Sequence, residues 1–317
     1  MNKREEALVL KEKELDSNQE RRWFGFTKRV LDPDQEDIKI ISTIAVFGIF
    51  FTGNAIAADC PKDLPTIEPG KLTMSINATI PPRQYIDDSG NLQGLHPDLG
   101  NEIAKRLCLE PAYMNVEFAV QIPGLATKRW DMVNTGMYYK PERAQIMRMV
   151  PYVVNALALV VERGNPMGVT GYESLAGEPV ATEIAGFADN LIRTINDEQV
   201  ANGMESMDIK AFNTFAEAFA ALGAGQVKAV FGPDAVAAYY AERGSFDVGA
   251  SGLNPGLPSS FGFDGKTGQR LSQAVAKVLR DMVEDGTYNR LMSSYGATQI
   301  QFWDDYVGDI AVYYNPE

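Results

Sequence analysis

The sequence predicts an α/β protein of two lobes, each a mostly parallel sheet flanked by helices, joined by a hinge that the chain crosses twice. Three observations predict this. From Lys71 onward strand-like and helix-like segments alternate, which is the pattern of an α/β sheet. Two apolar β-rich runs, 150–161 and 260–263, bracket a middle segment that has an alternation of its own. An amphipathic helix after the second run then returns the chain to the first lobe.

Taken in order, a lead carrying Pro61, Pro65 and Pro69 is followed by a predicted strand over 71–78. Segments 84–86 and 92–94 flank a turn at 87–91 and predict a hairpin. Leu99, Ile103 and Leu107 recur at helical spacing while Glu102, Lys105 and Arg106 fall on the other face, so 98–108 is predicted as an amphipathic helix. A strand over 113–118, a short helix near 123–127 and a strand over 131–135 continue the first lobe. In the middle segment, strands are predicted over 180–182, 209–212 and 229–231, with helices over 189–196 and 215–222. Leu271, Val275, Val278 and Met282 mark the returning helix, which Asp285-Gly286 ends. Residues 264–268, Asp-Gly-Lys-Thr-Gly, lack the earlier glycine of a phosphate loop, which falls at Ser260, and read as a hairpin turn. Lobe 1 is therefore assigned 68–163 and 257–298, and lobe 2 is assigned 164–256. The crossings are expected near 161–165 and 254–263. Residues 299–317 form an aromatic tail carrying Phe302, Trp303, Tyr306, Tyr313 and Tyr314.

Composition excludes several classes of function. Acidic residues outnumber basic ones 42 to 29, and a net charge of −13 lacks the positive field of a nucleic-acid binder. One histidine, His96, and two cysteines, Cys60 and Cys108, are too few for a zinc cluster or a Cys/His network. Neither a metal site nor a cofactor is expected. Residues 40–51 form an almost wholly apolar run behind Lys39, followed by small residues up to Ala58. That is a signal-peptide core, 39–57, with an A-x-A cleavage site after Ala57, and it is short for a membrane span. An uncleaved anchor is the alternative. Residues 1–38 are highly charged and longer than an ordinary n-region, and are read as a disordered extension or a misassigned start. The exported chain keeps 20 basic against 32 acidic residues, so an acidic periplasmic protein is expected. A lipobox needs a small residue before its cysteine, and Asp59 precedes Cys60. In an oxidising compartment Cys60 and Cys108 are instead expected to form one disulfide, with two unpaired thiols as the alternative.

A series of short motifs stands in fixed order along this frame. They are Asn77-Ala78-Thr79-Ile80-Pro81-Pro82, Gly94-Leu95-His96-Pro97-Asp98-Leu99, Ile122-Pro123-Gly124-Leu125 and Trp130 to Met137. Pro141-Glu142-Arg143, Val150-Pro151-Tyr152, Gly225 to Val230 and Pro233-Asp234 complete the series. Over residues 70–296 the chain resembles the extracytoplasmic solute-binding proteins of the polar amino-acid class that serve ABC importers. The resemblance implies a two-lobed periplasmic-binding-protein-like fold and capture of a free amino acid between the lobes. It also implies a monomer that delivers its ligand to an ABC permease in the inner membrane.

A free amino acid is a zwitterion, and taking both charges out of water demands a fixed cation and a fixed anion on opposite walls. Arginine suits the carboxylate because its planar fork makes two parallel charge-assisted bonds. By the resemblance Arg143, just inside a helix after Pro141, is that clamp, and Asp234 in the second lobe holds the ammonium. A helix-capping aspartate is the alternative for Asp234. The same resemblance brings Asn77, Ile80, Phe118, Gly136, Tyr138, Tyr139, Glu183, Gly186 and Phe187 to the ligand. Several of these depart from the common pattern. Tyr138, followed by Tyr139, replaces a small hydroxyl residue; Ile80 replaces an aromatic, and Arg83 replaces an apolar residue three positions later. Gly186 and Phe187 offer backbone N–H groups at a helix N-terminus. Glu183, with no cation beside it in sequence, points to a basic or amide side chain on the ligand, on which Tyr138, Tyr139 and Phe118 would stack. A solvent-facing Glu183 and core tyrosines are the alternative. His96 stands where relatives carry an acid, and a lone histidine is assigned no chemistry.

Two rival functions use the same frame. Some relatives are dehydratases of a cyclohexadienyl amino acid, which need a general acid, and Glu183 is the nominee. An amino-acid sensor held by an uncleaved 40–51 anchor is the other.

Overall fold

The computed structural model describes residues 60–61, 63–243, 246–297 and 312–316. The charged extension, the expected signal peptide and most of the aromatic tail lie outside the described residues.

Strand β1 (Lys71–Ile76) buries Leu72, Met74 and Ile76 completely and forms the centre of the first lobe. It pairs in parallel with β5 (Glu110–Asn115) and β6 (Met132–Tyr138). Between β1 and β5 lie three short strands, β2 (Thr79–Ile80), β3 (Gln84–Ile86) and β4 (Leu92–Gln93), which form a separate antiparallel sheet, and helix α1 (Leu95–Arg106). Leu95, Leu99 and Ile103 repeat every fourth residue and are wholly buried, so the predicted amphipathic face is the packing face. The helix begins three residues earlier than expected. Gly94 sets that start: its φ is +124°, and a Cβ there would lie 2.4 Å from the Arg83 carbonyl oxygen, so only glycine fits. Helices α2 (Gln121–Ala126) and α3 (Pro141–Ile146) complete this part of the lobe.

The second lobe repeats the arrangement. It contains β8 (Pro179–Glu183), α4 (Phe187–Ala201), β9 (Asp208–Phe212), α5 (Phe215–Gly223), β10 (Ala229–Pro233) and α6 (Asp234–Glu242), with β10, β8 and β9 parallel. Two long strands, β7 (Met147–Val161) and β11 (Asp247–Asp264), pair antiparallel and run through both lobes, giving one continuous sheet of order β5-β1-β6-β11-β7-β10-β8-β9. Helices α7 (Gln269–Glu284) and α8 (Thr287–Ser294) return to the first lobe. Arg106 of α1, held in its own helix by Glu102 at 2.7 Å, ties them down through an ion pair of 2.7 Å to Asp285.

Strand β7 pairs with β11 over its whole length, and its other edge takes up β10 only past Asn155. Beyond it, residues 157–161 pair with β10, whereas β11 continues to β6 only from Ser259 onward. The sheet of the second lobe thus reaches back to Leu157, short of the 161–165 segment where the first crossing was expected. Strand β11 is far longer than the predicted 260–263 run. Gly252, Asn254 and Gly256 all have positive φ, and the register shifts four times, so no local alternation marks it. Its pairing comes from β7. Residues 264–268 are no hairpin either. Asp264 accepts bonds from the N–H groups of Lys266 and Thr267 and from the Thr267 hydroxyl, forming a turn that leads into α7. The strand expected at 113–118 lies at 110–115, which releases Phe118 into a 3-10 turn.

Cys60 and Cys108 are bonded, with Cα atoms 5.7 Å apart, and tie the Pro-rich lead to the end of α1. Closing a loop of 48 residues removes denatured-state entropy equivalent to about 4 kcal/mol on a chain-entropy account. The described part of the tail packs on the first lobe: Tyr313 and Met149 exchange backbone hydrogen bonds of 2.9 and 2.8 Å, and the Arg148 guanidinium lies 4.2 Å from the Tyr314 ring centre.

Candidate functional site

The C-terminal ends of the parallel strands of both lobes face one cleft, the place where open α/β sheets take their ligands. Eight of the residues expected at the ligand line one cavity there: Ile80, Phe118, Gly136, Tyr138, Arg143, Glu183, Gly186 and Phe187. Thr135, Leu157, Phe215 and Pro233 join them. Gly136 has φ +71°, and a Cβ there would sit 2.6 Å from His96 Cε1, so a side chain is excluded at this wall.

Arg143 is 8% exposed. Its Nη1 donates to the Tyr138 carbonyl at 2.8 Å and its Nη2 to the Ala185 carbonyl of the other lobe at 3.3 Å, while the guanidinium lies 5.5 Å from the Phe118 ring centre. Among the described residues no carboxylate comes within ion-pair distance of it. Burial brings its pKa down to about 10, with Glu142 opposing, so it remains a cation at neutral pH. The site therefore holds a buried positive charge whose protein partners are neutral carbonyls.

Glu183 sits at the end of β8 and is 2% exposed, so it is not the solvent-facing acid of the alternative. Asn77, at the end of β1, donates to its Oε1 at 2.6 Å and so links the two lobes. Burial raises the Glu183 carboxyl to about 8, against the opposing bonds from Asn77 and from the Phe215 N–H. The group is largely protonated at neutral pH in this arrangement.

Asp234 opens α6, and its Oδ1 accepts from the Ala235 N–H at 2.8 Å. Its neighbour Pro233 lines the cavity, and its carboxylate is close enough to Tyr138 to add to the burial that raises the phenol's pKa. The N-terminus of α4 delivers backbone donors, with one change from expectation. The Gly186 N–H is spent on the Glu183 carbonyl at 3.1 Å, which leaves the first-turn N–H groups of Phe187 and Ala188. A Cβ at Gly186 would lie 2.9 Å from that same carbonyl oxygen, which explains the glycine. Tyr139 does not reach the cleft. Its ring packs against Tyr313 of the tail at 5.7 Å because adjacent residues of a strand point to opposite faces, and Tyr138 takes the cleft side against Phe187.

A second cavity adjoins the first across Tyr138. Arg83, Gln84, His96, Asn155 and Ser259 line it, and it shares Ile80, Thr135, Gly136, Tyr138 and Pro233 with the first. Gln84, Asn155 and Ser259 carried no sequence signal, and His96 was assigned no chemistry. The one available signal was Arg83 itself, an arginine where relatives carry an apolar residue. His96, assigned no chemistry, is buried edge-on to Tyr152, and burial, with Arg83 beside it, holds its pKa well below the usual histidine value.

The profile of the family described as bacterial extracellular solute-binding proteins, family 3, matches residues 72–298. The arginine-binding protein ArgT of Corynebacterium glutamicum is 25% identical over 230 residues, covering 72% of this chain and 74% of ArgT. A solved ancestral arginine-binding protein bound to arginine is 28% identical with a TM-score of 0.65, covering 71% of this chain and 98% of that one. The ancestral amino-acid-binding protein AncCDT-1, a precursor of cyclohexadienyl dehydratase, is 25% identical with a TM-score of 0.64, covering 71% and 95%.

Proposed function

Because the chain belongs to family 3 of the bacterial extracellular solute-binding proteins, we propose that it captures a free amino acid between its lobes and hands it to an ABC permease after export to the periplasm. The observation that carries this reading is Arg143, a buried cation of the first lobe that points at the second with only carbonyl partners. The ligand carboxylate takes the Arg143 fork and the free N–H groups of Phe187 and Ala188. Asp234, on α6 next to the lining Pro233, takes the ammonium. Contacts from both lobes to one ligand favour the lobe-closed form over the open one, since the open form makes only half of them. The lobes swing on chain crossings near Asn155 and Leu257, a reading supported by β10 joining β7 from Leu157 and β6 joining β11 from Ser259.

A binding protein is favoured over a dehydratase by the relatives rather than by the nominated acid. Glu183, buried, held by Asn77 of the opposite lobe and raised to about 8, is in a state that a general acid also requires. The curated relative is named for binding, and AncCDT-1 is itself described as amino-acid-binding.

A thermal-shift screen of the full chain against the common amino acids and their N-carboxyalkyl derivatives tests the reading. At about 100-fold excess over Kd, a true ligand stabilises by about 2.7 kcal/mol and raises Tm by several degrees. A screen in which no free amino acid shifts Tm contradicts it.

A further inference from the structure

We propose that Arg83 forms a second carboxylate-recognising subsite, and that the amino acid bound in the cleft carries a second anionic group. The proposal rests on the amino-acid-binding reading and names the substrate class within it.

Arg83 is 8% exposed and lies in the cavity that adjoins the Arg143 end of the cleft. Its Nη2 donates to Asn155 Oδ1 at 2.6 Å, and the Asn155 amide donates in turn to Ser259 Oγ at 2.7 Å. One edge of the guanidinium is thereby fixed against both crossing strands. The other edge is different: Nη1 is buried with no acceptor among the described residues, and no carboxylate lies within ion-pair distance. A buried cation without a counter-charge is unfavourable, and a site that keeps one is suited to an anion brought by a ligand. The neighbours fit that role. The Tyr138 hydroxyl and both ring nitrogens of His96 are also buried without a protein partner and line the same cavity. A neutral imidazole and a phenol supply hydrogen-bond donors without adding charge.

Charge balance points the same way. With Glu183 protonated, the two cavities are lined by two guanidinium groups, and Asp234 stands beside them next to the lining Pro233. A zwitterion with a single carboxylate satisfies Arg143 and Asp234 and leaves Arg83 unpaired. A second carboxylate satisfies all three. That carboxylate has two chemical sources, the end of an acidic side chain or a carboxyalkyl substituent on the α-nitrogen.

Calorimetric titration of the full chain with two matched pairs separates these sources: L-glutamate against L-glutamine, and Nα-(1-carboxyethyl)-L-arginine against L-arginine. In at least one pair the dicarboxylate is expected to bind about 10- to 100-fold more tightly. The pair that shows the preference locates the second carboxylate. Arg83→Leu should erase the preference while leaving the affinity for the monocarboxylate partner within a few-fold, and Arg83→Lys, which keeps the charge, should retain part of it. Circular dichroism checks that both variants fold, and if Arg83→Leu does not, the Arg83→Lys and wild-type comparisons decide. Equal or tighter binding of the monocarboxylates, or a preference that survives Arg83→Leu, overturns the proposal. Either result leaves Arg83 as a brace on the crossing strands and the amino-acid reading intact. No binding by any of the four compounds, together with a silent thermal-shift screen, overturns the amino-acid reading itself.

Discussion

Replacing Arg143 with alanine is expected to abolish measurable binding of the amino-acid ligand in calorimetric titrations while the circular dichroism spectrum stays that of the wild type. Two charge-assisted bonds to the ligand carboxylate, at about 1.5–3 kcal/mol each, correspond to a loss of more than 100-fold in affinity. The fold should tolerate the change. The side chain makes two bonds to backbone carbonyls, and its removal relieves the burial of a cation whose pKa is already brought down to about 10. Arg143→Lys separates geometry from charge: a point charge cannot reproduce the bidentate fork, so it should restore only a fraction of the binding. Affinity within a few-fold of wild type for Arg143→Ala would remove the carboxylate clamp from the account.

The largest expected effect on stability comes from Glu183. Its carboxyl is raised to about 8 in the folded chain by burial, whereas an unfolded glutamate titrates near its ordinary value. Below that ordinary value both states are protonated and the group contributes nothing. As pH rises toward 8, the unfolded state releases a proton that the folded state keeps, so the stability of the ligand-free protein falls through this window by a few kcal/mol and then levels off. Urea unfolding at pH 5 and pH 8 should show the fall in wild type and a much flatter profile in Glu183→Gln, whose amide can still meet Asn77. Identical pH profiles would mean that the group ionises freely in the folded protein. Ligand chemistry adds a second readout: a cationic ligand group placed beside Glu183 would draw its pKa down and release a proton on binding near pH 7. Titrations in buffers of different ionisation enthalpy detect that proton.

Much of this architecture was legible in the sequence. Leu99 and Ile103 on α1, and Leu271, Val275, Val278 and Met282 on α7, marked their helices because a buried face repeats at helical spacing. The strands on which the lobes join were the least legible. Three glycines and two prolines interrupt the first two-thirds of β11, and its conformation is imposed by β7 rather than by local preference. The site divides in the same way. Arg143 and the cluster around it were marked by motif order, and Tyr138 was separable from Tyr139 only once strand direction was known. Arg83, His96 and Asn155 come from three elements whose meeting depends on how β2 and β3 fold over the crossing strands, and no sequence spacing records it.

In the proposed function Arg143 holds the α-carboxylate of the ligand. The most direct test of that contact is a calorimetric comparison of the amino acid that emerges from the screen with its α-carboxamide, on wild type and on Arg143→Ala. The account predicts that wild type prefers the carboxylate by about 100-fold or more and that the preference disappears in the variant. A carboxamide that binds wild type as tightly as the free acid would contradict it.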